Sequence, residues 1–408
     1  MTPSRAGDGL RLVPMRPRDP SEPNRAASTL ELFFDLVFVV AVSTAAQNLH
    51  HLMSEGDVVN GLVHYLMVFF AIWWAWMNFT WFATSFDTDD WLYRVVTFVQ
   101  MAGVLVLAAG LEPAFAESEY TILVGGYVVM RVAMVFQWVR ASRRGDVASR
   151  AARWYAAGIL VVQVLWVAWL TIDAQVPQMV VFVILMLAEI SVPVVAETRG
   201  RTTWHPHHIT ERYGCFTLIL LGESLAGSAN AIIEGLHDTE HLGEMIAMGV
   251  LAFVVTAGLW WVYFWPPHHR AISSFAESLR YGYWHYFVFA AAGAFSVGIE
   301  LEIDALSDAS HIAPVAASYA VAVPVAVFLV GIWWIAIRKH ADRLVNTGLP
   351  LGAVLVLLDP VLPLPVAVTA LVIAAVVVVL VIRAPLPEPQ DARDGTDPIQ
   401  ETPAGDSS

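Results

Sequence analysis

The sequence is poor in three things, and each shortage excludes chemistry. Its one cysteine, Cys215, leaves no internal disulfide and no C-x-x-C metal or redox pair. Its one lysine, Lys339, follows Arg338, so there is no Walker A loop and no lysine-bearing phosphorylation motif of a P-type ATPase. No H-E-x-x-H zinc motif occurs, and Gly222 to Gly227 is one residue too long for a G-x-S-x-G nucleophile elbow. Charge is scarce as well, at 14% of residues where a soluble domain carries about 25%. The net charge of −14 comes without any basic patch, so no nucleic-acid partner is expected.

What replaces charge is apolar surface: 57% of the residues are hydrophobic and the mean hydropathy is +0.61. The excess comes in runs of about 20 residues, the length a helix needs to cross a bilayer. Such runs fall at 30–49, 59–84, 92–111, 120–139, 154–172, 176–196, 208–233, 242–265, 281–303, 312–337, 344–358 and 364–382. The expected fold is therefore an all-α integral membrane bundle of about twelve transmembrane helices, with the lipid bilayer as its first partner. The eleventh run is short, and three prolines between Asp359 and Pro365 would also suit a re-entrant hairpin. Residues 1–29 read as a disordered basic tail with no apolar core of a signal peptide, and 384–408 as a disordered acidic tail.

Every Lys and Arg except Arg131 lies in a tail or in a connection of one parity, such as Arg140 to Arg153, Arg199 to Arg212, and Arg338 to Arg343. By the positive-inside rule both termini are cytoplasmic. Connections of the other parity carry acids and no bases, for example Glu55, Asp57, Glu112, Glu117 and Glu244, a surface that gathers cations. The dominance of Arg with abundant Ala and Val suggests a GC-rich bacterial gene and a plasma-membrane location.

A duplication is also expected. Trp73-Trp74 in the second run matches Trp260-Trp261 in the eighth, an offset of 187 residues. Ala102-Gly103 matches Ala292-Gly293 at an offset of 190. Halves of six spans, 30–196 and 197–383, would be parallel repeats.

Charges inside apolar spans need partners or water, because each costs about 2.5–3.5 kcal/mol on insertion scales. Arg131 and Glu189 come at similar depth in two spans that run the same way, and pair as a structural strap or a gate. Glu31 and Asp35 are four residues apart, on one face, either capping the first helix or forming an inner acidic mouth. In the seventh span Arg212, Glu223, Gly227, Asn230 and Glu234 share one face, with Glu223 near mid-membrane as the best proton- or cation-binding acid. The ninth span repeats the pattern with Gly293, Ser296, Glu300 and Asp304, and His285 lies off that face. Interhelical hydrogen bonding is the plainer use of such stripes. The histidines at His205 to His208 and His268-His269 fall in cytoplasmic connections, and neither a metal nor another cofactor is expected there.

The blocks ELFFDLVFVVAV (Glu31 to Val42) and HITERYGCFTLILLGES (His208 to Ser224), with the Trp-rich second span and its FDTDD loop, resemble the bacterial low-temperature-requirement A family. The resemblance covers residues 25 to 383 and implies a many-span membrane protein. Family-typical positions are Glu31, Phe34, Asp35, Glu211, Arg212, Gly222 and Glu223. A fainter similarity, Arg212 with Phe216-Thr217, is to lysosomal-type potassium channels, although Leu218 stands where their acid would be.

The function expected is passage of a small cation or solute by a secondary transporter or channel, not enzyme catalysis. Glu223 binds the ion, Arg212 and Asn230 line its path, and Glu211, Glu300 and His285 lie near it. A lipid-modifying membrane enzyme and a non-catalytic scaffold or sensor in cold or stress adaptation are the alternatives. Tags fused to both ends should resist external protease in right-side-out vesicles and be cleaved once the bilayer is opened.

Overall fold

The computed structural model describes residues 12–19, 26–86, 88–237, 241–306, 311–362 and 366–385. Its described residues form thirteen α-helices and no strand beyond one isolated bridge. The first half contains α1 (Thr29–Ser54), α2 (Val58–Ser85), α3 (Trp91–Ala109), the short α4 (Leu111–Ala116), α5 (Thr121–Ala141), α6 (Val147–Trp169) and α7 (Gln175–Arg199). The second contains α8 (Pro206–His237), α9 (Leu242–Phe264), α10 (Phe275–Leu306), α11 (Pro314–Ile332), α12 (Arg343–Val356) and α13 (Ala367–Ile382). Ten helices among the described residues are long and apolar enough to cross a membrane. The 32-residue, more polar α8 and the 16-residue α13 fall outside those ten.

Helix starts follow from local chemistry. Ser28 and Glu31 form a reciprocal capping box at α1, and Asp90, Asp146 and Asp342 each accept from a backbone N–H at the start of α3, α6 and α12. The third apolar run does not continue straight, because α3 stops at Gly110. There α3 crosses α5 so closely that a Cβ on Gly110 would sit 2.3 Å from the Leu123 nitrogen, and one on Gly126 2.3 Å from the Leu107 nitrogen.

The bundle is inverted relative to a soluble protein. Leu32, Phe33, Leu36 and Val40 face outward from α1 while Glu31 and Asp35 face inward. A surface of this kind suits hydrocarbon, where outward charge is the costly choice. α10 is the most enclosed of the ten long apolar helices and α7 the least.

Neighbour relations recur in the two halves. α1 packs on α2 and α3, then α3 on α5, α5 on α6 and α6 on α7; α8 packs on α9 and α10, then α10 on α11, α11 on α12 and α12 on α13. The sequence pairs that suggest duplication nevertheless differ in surroundings. Trp73 and Trp74 are 2% and 0% exposed, whereas Trp260 and Trp261 are 44% and 41% exposed on the outer face of α9. Gly103 lies against Met130 of α5, but Gly293 lies against Tyr65 of α2. The second Trp pair therefore reflects lipid-facing chemistry, not a shared core position.

Part of the amino tail expected to be structureless is docked. Met15 is buried, the Arg18 N–H donates to Ser85 O (3.0 Å), and Thr203 Oγ1 donates to Arg18 O (2.9 Å). Asp90 fastens this segment, because it accepts from Val13 N (3.0 Å) and Tyr93 N (2.9 Å) and pairs with Arg140. An apolar Met and two backbone donors suffice to hold a short extended strap. The acidic tail lies outside the described residues from 386 onward.

Burial alone would raise the Asp90 carboxyl, but the Arg140 guanidinium and the two backbone donors outweigh it and hold it below the ordinary 3.8. A depressed carboxylate contributes stability that is present above its unfolded pKa and lost as pH falls through the folded one. Asp90→Asn should therefore cost about 2 kcal/mol at neutral pH. It should also flatten the acid-induced loss of thermal stability below pH 3.8, measured by thermal unfolding in detergent.

Candidate functional site

The first and second halves meet where α1, α2, α8 and α10 converge. Contacts between α1 and α8 advance together along both chains. Glu31 meets His208 and Arg212, Asp35 meets Arg212, Phe38 meets Phe216, and Ser43 meets Glu223. The two helices therefore run parallel.

At one end of this seam lies a buried ion cluster. Arg212 donates from Nε to Asp35 Oδ2 (3.0 Å) and from Nη2 to Asp35 Oδ1 (2.6 Å), and the Trp76 indole donates to Asp35 Oδ1 (2.7 Å). Glu31 Oε1 lies 3.2 Å from Arg212 Nη1 and 3.1 Å from His208 Nε2, and its other oxygen accepts the Ser28 N–H (2.7 Å). The Arg212 guanidinium also lies over the Phe79 ring at 5.8 Å. All four ionisable side chains are buried. The expected inner acidic mouth is thus corrected to a neutralised plug. Its acids are sealed in helix packing by a base one half-chain away. Arg212, expected to line a path with Glu223, is buried in this cluster and paired with Asp35 and Glu31. The remaining acid of the motif, Glu211, points elsewhere and accepts the Ala27 N–H (3.1 Å) at an exposed position.

Beyond the plug comes an aromatic layer. Phe38 meets Phe216 edge-on at 6.3 Å, and Trp76 stacks on Phe216 at 4.5 Å. Past it, about 16 Å along α8 from Arg212 at 1.5 Å per residue, Glu223 accepts a hydrogen bond from Ser43 and is only half-buried. One turn further, a Cβ on Gly227 would lie 3.9 Å from Glu300 Cγ. Glu300 thus packs against α8 at Gly227. Another turn along α10, Asp304 Oδ2 sits 2.8 Å from His50 Nε2 of α1, both about a quarter exposed. Glu223, Glu300 and Asp304 thus form a partly accessible acidic column along the α1–α8–α10 seam. Asn230 is exposed, and the side chain of Glu234 lies outside the described residues.

His285 does not join the column. Burial on α10 places it 3.2 Å from the Tyr263 hydroxyl, with Nδ1 2.7 Å from Tyr281 O. Tyr281 in turn reaches His268 Nδ1 (3.0 Å), whose Nε2 contacts Tyr263 O (2.6 Å). Burial pushes the His268 imidazole down to about 4, so this loop histidine is neutral near pH 7.

A second buried ion pair occupies the first half. Arg131 Nη2 lies 2.5 Å from Glu189 Oε2, the Trp74 indole donates to the same oxygen (2.8 Å), and the Tyr127 hydroxyl donates to Glu189 Oε1 (3.2 Å). Arg131 Nε and Nη1 have no hydrogen-bond partner among the described residues.

Several partners escape a reading of the sequence: His208 for Glu31, Trp76 for Asp35, Trp74 for Glu189, Ser43 for Glu223 and His50 for Asp304. One signal was available. His208 and Arg212 are four residues apart, the spacing that Glu31 and Asp35 also have, so the two pairs interlock face to face.

Among the described residues no group of three or more His, Cys, Asp or Glu side chains could hold a metal ion. The fold defines a polytopic all-α membrane protein with buried ionisable groups both between α1 and α8 and between α5 and α7. Residues 26–382 match the family model described as bacterial low temperature requirement A protein (LtrA), and the chain belongs to that family. It is also similar to an uncharacterized protein of Rhizobium meliloti (strain 1021), at 28% identity over 255 residues. That match spans 60% of this chain and 60% of the relative's length.

Removing Asp35 alone leaves Arg212 without its bidentate partner in a dry site, a loss of about 3–5 kcal/mol. Asp35→Leu should therefore be strongly destabilising in detergent unfolding. Asp35→Leu combined with Arg212→Met should recover much of the loss, since Glu31 keeps His208. Equal damage from single and double variants would count against a mutually neutralised cluster.

Proposed function

We propose that this chain passes a small cation or a cation-coupled solute along the α1–α8–α10 seam, as a secondary transporter or channel. The observation that carries the reading is the column Glu223–Glu300–Asp304, three partly accessible acids at successive turns, ended by a buried plug. Acids at membrane depth are costly unless a partner, a cation, a proton or water compensates them, and here Ser43 meets Glu223 and His50 meets Asp304. Glu223 is the deepest of the three, and the Ser43 hydroxyl donates to it. It binds the ion. The Arg212–Asp35–Glu31–His208 cluster acts as the inner gate, and Arg131–Glu189 as a strap that keeps the first half rigid.

We further infer twelve spans in two parallel six-helix repeats, with α8 and α13 completing the set and both termini cytoplasmic. The recurring neighbour scheme and the parallel run of α1 and α8 support this. The placement of Arg and Lys supports the orientation. On this reading the chain lies in a bacterial plasma membrane, is not an enzyme and needs no cofactor.

Proteoliposome flux under proton, Na⁺ and K⁺ gradients in turn tests the reading. Wild type should conduct under at least one gradient. Glu223→Gln should reduce that flux by about tenfold or more, since a charge in a partly dry site is worth at least about 1.4 kcal/mol. Folded wild type that passes nothing, or full flux in both Glu223→Gln and Glu300→Gln, would overturn it.

A further inference from the structure

A narrow cavity lies among α2, α5, α6, α7 and α10, beside the loop that joins the two halves, with about 50 Å³ open to the centres of water-sized occupants and about 580 Å³ once interstitial space and the solvent at its mouth are counted. It shares no residue with the acidic column. Six aromatic side chains wall it: Trp81, Trp138, Tyr155, Trp204, Phe275 and Tyr283. One acid, Glu197, stands in the wall, and no Arg, Lys or His does.

The polar tips of this wall are largely committed to the frame. The Tyr283 hydroxyl donates to Ile190 O (2.6 Å), the Tyr155 hydroxyl to Glu197 Oε1 (3.1 Å), and the Trp81 indole to Tyr213 Oη (3.2 Å). Thr202 holds both oxygens of Glu197, through Oγ1 at 2.7 Å and its backbone N–H at 3.0 Å. The buried Trp138 indole N–H has no hydrogen-bond partner among the described residues. What remains for an occupant is aromatic surface, the Trp138 N–H and the Glu197 carboxyl, whose oxygens also accept from Tyr155 and Thr202.

That combination selects a ligand class. A quaternary or otherwise diffuse organic cation requires no lone pair from the wall, and is attracted both by ring faces and by a carboxylate in a low dielectric. A neutral apolar molecule would leave the carboxylate without use, and an anion would face it at close range. We propose that this cavity is a binding site for a lipophilic organic cation, with Glu197 as the counter-charge. Its mouth adjoins an outer recess that carries Arg199 and Arg201, and Arg199 is drawn aside over the Trp154 ring at 5.1 Å. An anionic amphiphile seated on those arginines is the rival outcome.

The experiment titrates the purified full chain, in a neutral detergent, with tetraphenylphosphonium, read by tryptophan quenching and calorimetry. Neutral triphenylphosphine oxide and anionic dodecyl phosphate serve as comparators. Wild type should bind tetraphenylphosphonium saturably and in preference to both comparators. Glu197→Gln and Trp204→Leu should each weaken that binding by about tenfold, the scale of a desolvated cation–π or charge contact. Glu223→Gln should leave it unchanged. Thermal unfolding checks that the variants are folded, and Trp204→Leu decides if Glu197→Gln is not. No binding to folded wild type, undiminished binding by the folded variants, or tighter binding of dodecyl phosphate would each overturn the proposal.

Discussion

The seam between the halves depends on one guanidinium. Arg212 is fully buried and would be expensive inside a bilayer alone. Asp35 neutralises it through two hydrogen bonds, and Glu31 brings a second negative charge that His208 shares. None of these groups is comfortable without the others, so the cluster fixes which residues of α1 and α8 must lie opposite each other. That register then carries along both helices. It sets Phe38 against Phe216 and, further along, delivers Ser43 to Glu223. Buried ion clusters add little net stability compared with apolar packing, but they penalise every wrong alignment. Here the specificity is the useful product, because the acidic column exists only in this alignment.

The two buried ion pairs are completed by one helix. Trp74 donates to Glu189 and Trp76 to Asp35. Two residues apart on an α-helix means about 200°, so these indoles leave α2 on nearly opposite faces. One face looks into the first half, toward Arg131 on α5 and Glu189 on α7. The other looks across the seam, toward Arg212 on α8. α2 is thus a shared wall whose depth and rotation are set from both sides, by directional hydrogen bonds that tolerate little slippage.

Much of this was legible in the sequence, for definite reasons. Apolar run length locates the helices within a few residues, because lipid leaves the backbone almost no other way to satisfy its hydrogen bonds. Arg131 and Glu189 could be matched because each is a lone charge at similar depth within one half. The plug was harder to see. Glu31 and Asp35 look like an open mouth until α8, 177 residues later, is laid beside α1, and no periodicity within one span reports its neighbour. The Trp pairs misled in a related way. Trp73-Trp74 is core and Trp260-Trp261 faces outward, and both settings favour tryptophan in a membrane protein. His285 could be placed on a helix face but not among Tyr263, Tyr281 and His268, which come from two other segments and its own preceding turn.

α2 also reaches the aromatic cavity. Trp81, seven residues and almost two turns beyond Trp74, lines that cavity and donates to Tyr213, the residue next to Arg212. Three indoles of one helix therefore end in three places: the strap of the first half, the plug of the seam, and the wall of the cavity. A rigid element held at three points cannot shift along its axis without loosening all three contacts. On the proposed gating, opening the plug would require Asp35 and Arg212 to part, and Trp76 would then either follow Asp35 or give up its hydrogen bond. If α2 moves with Asp35, Trp81 moves relative to Tyr213 and the cavity changes shape. If α2 stays and Arg212 leaves on α8, Tyr213 is carried away from Trp81, which reaches the same cavity from its other side. If Asp35 leaves on α1 instead, Trp76 gives up its bond and the contact between Trp81 and Tyr213 is kept.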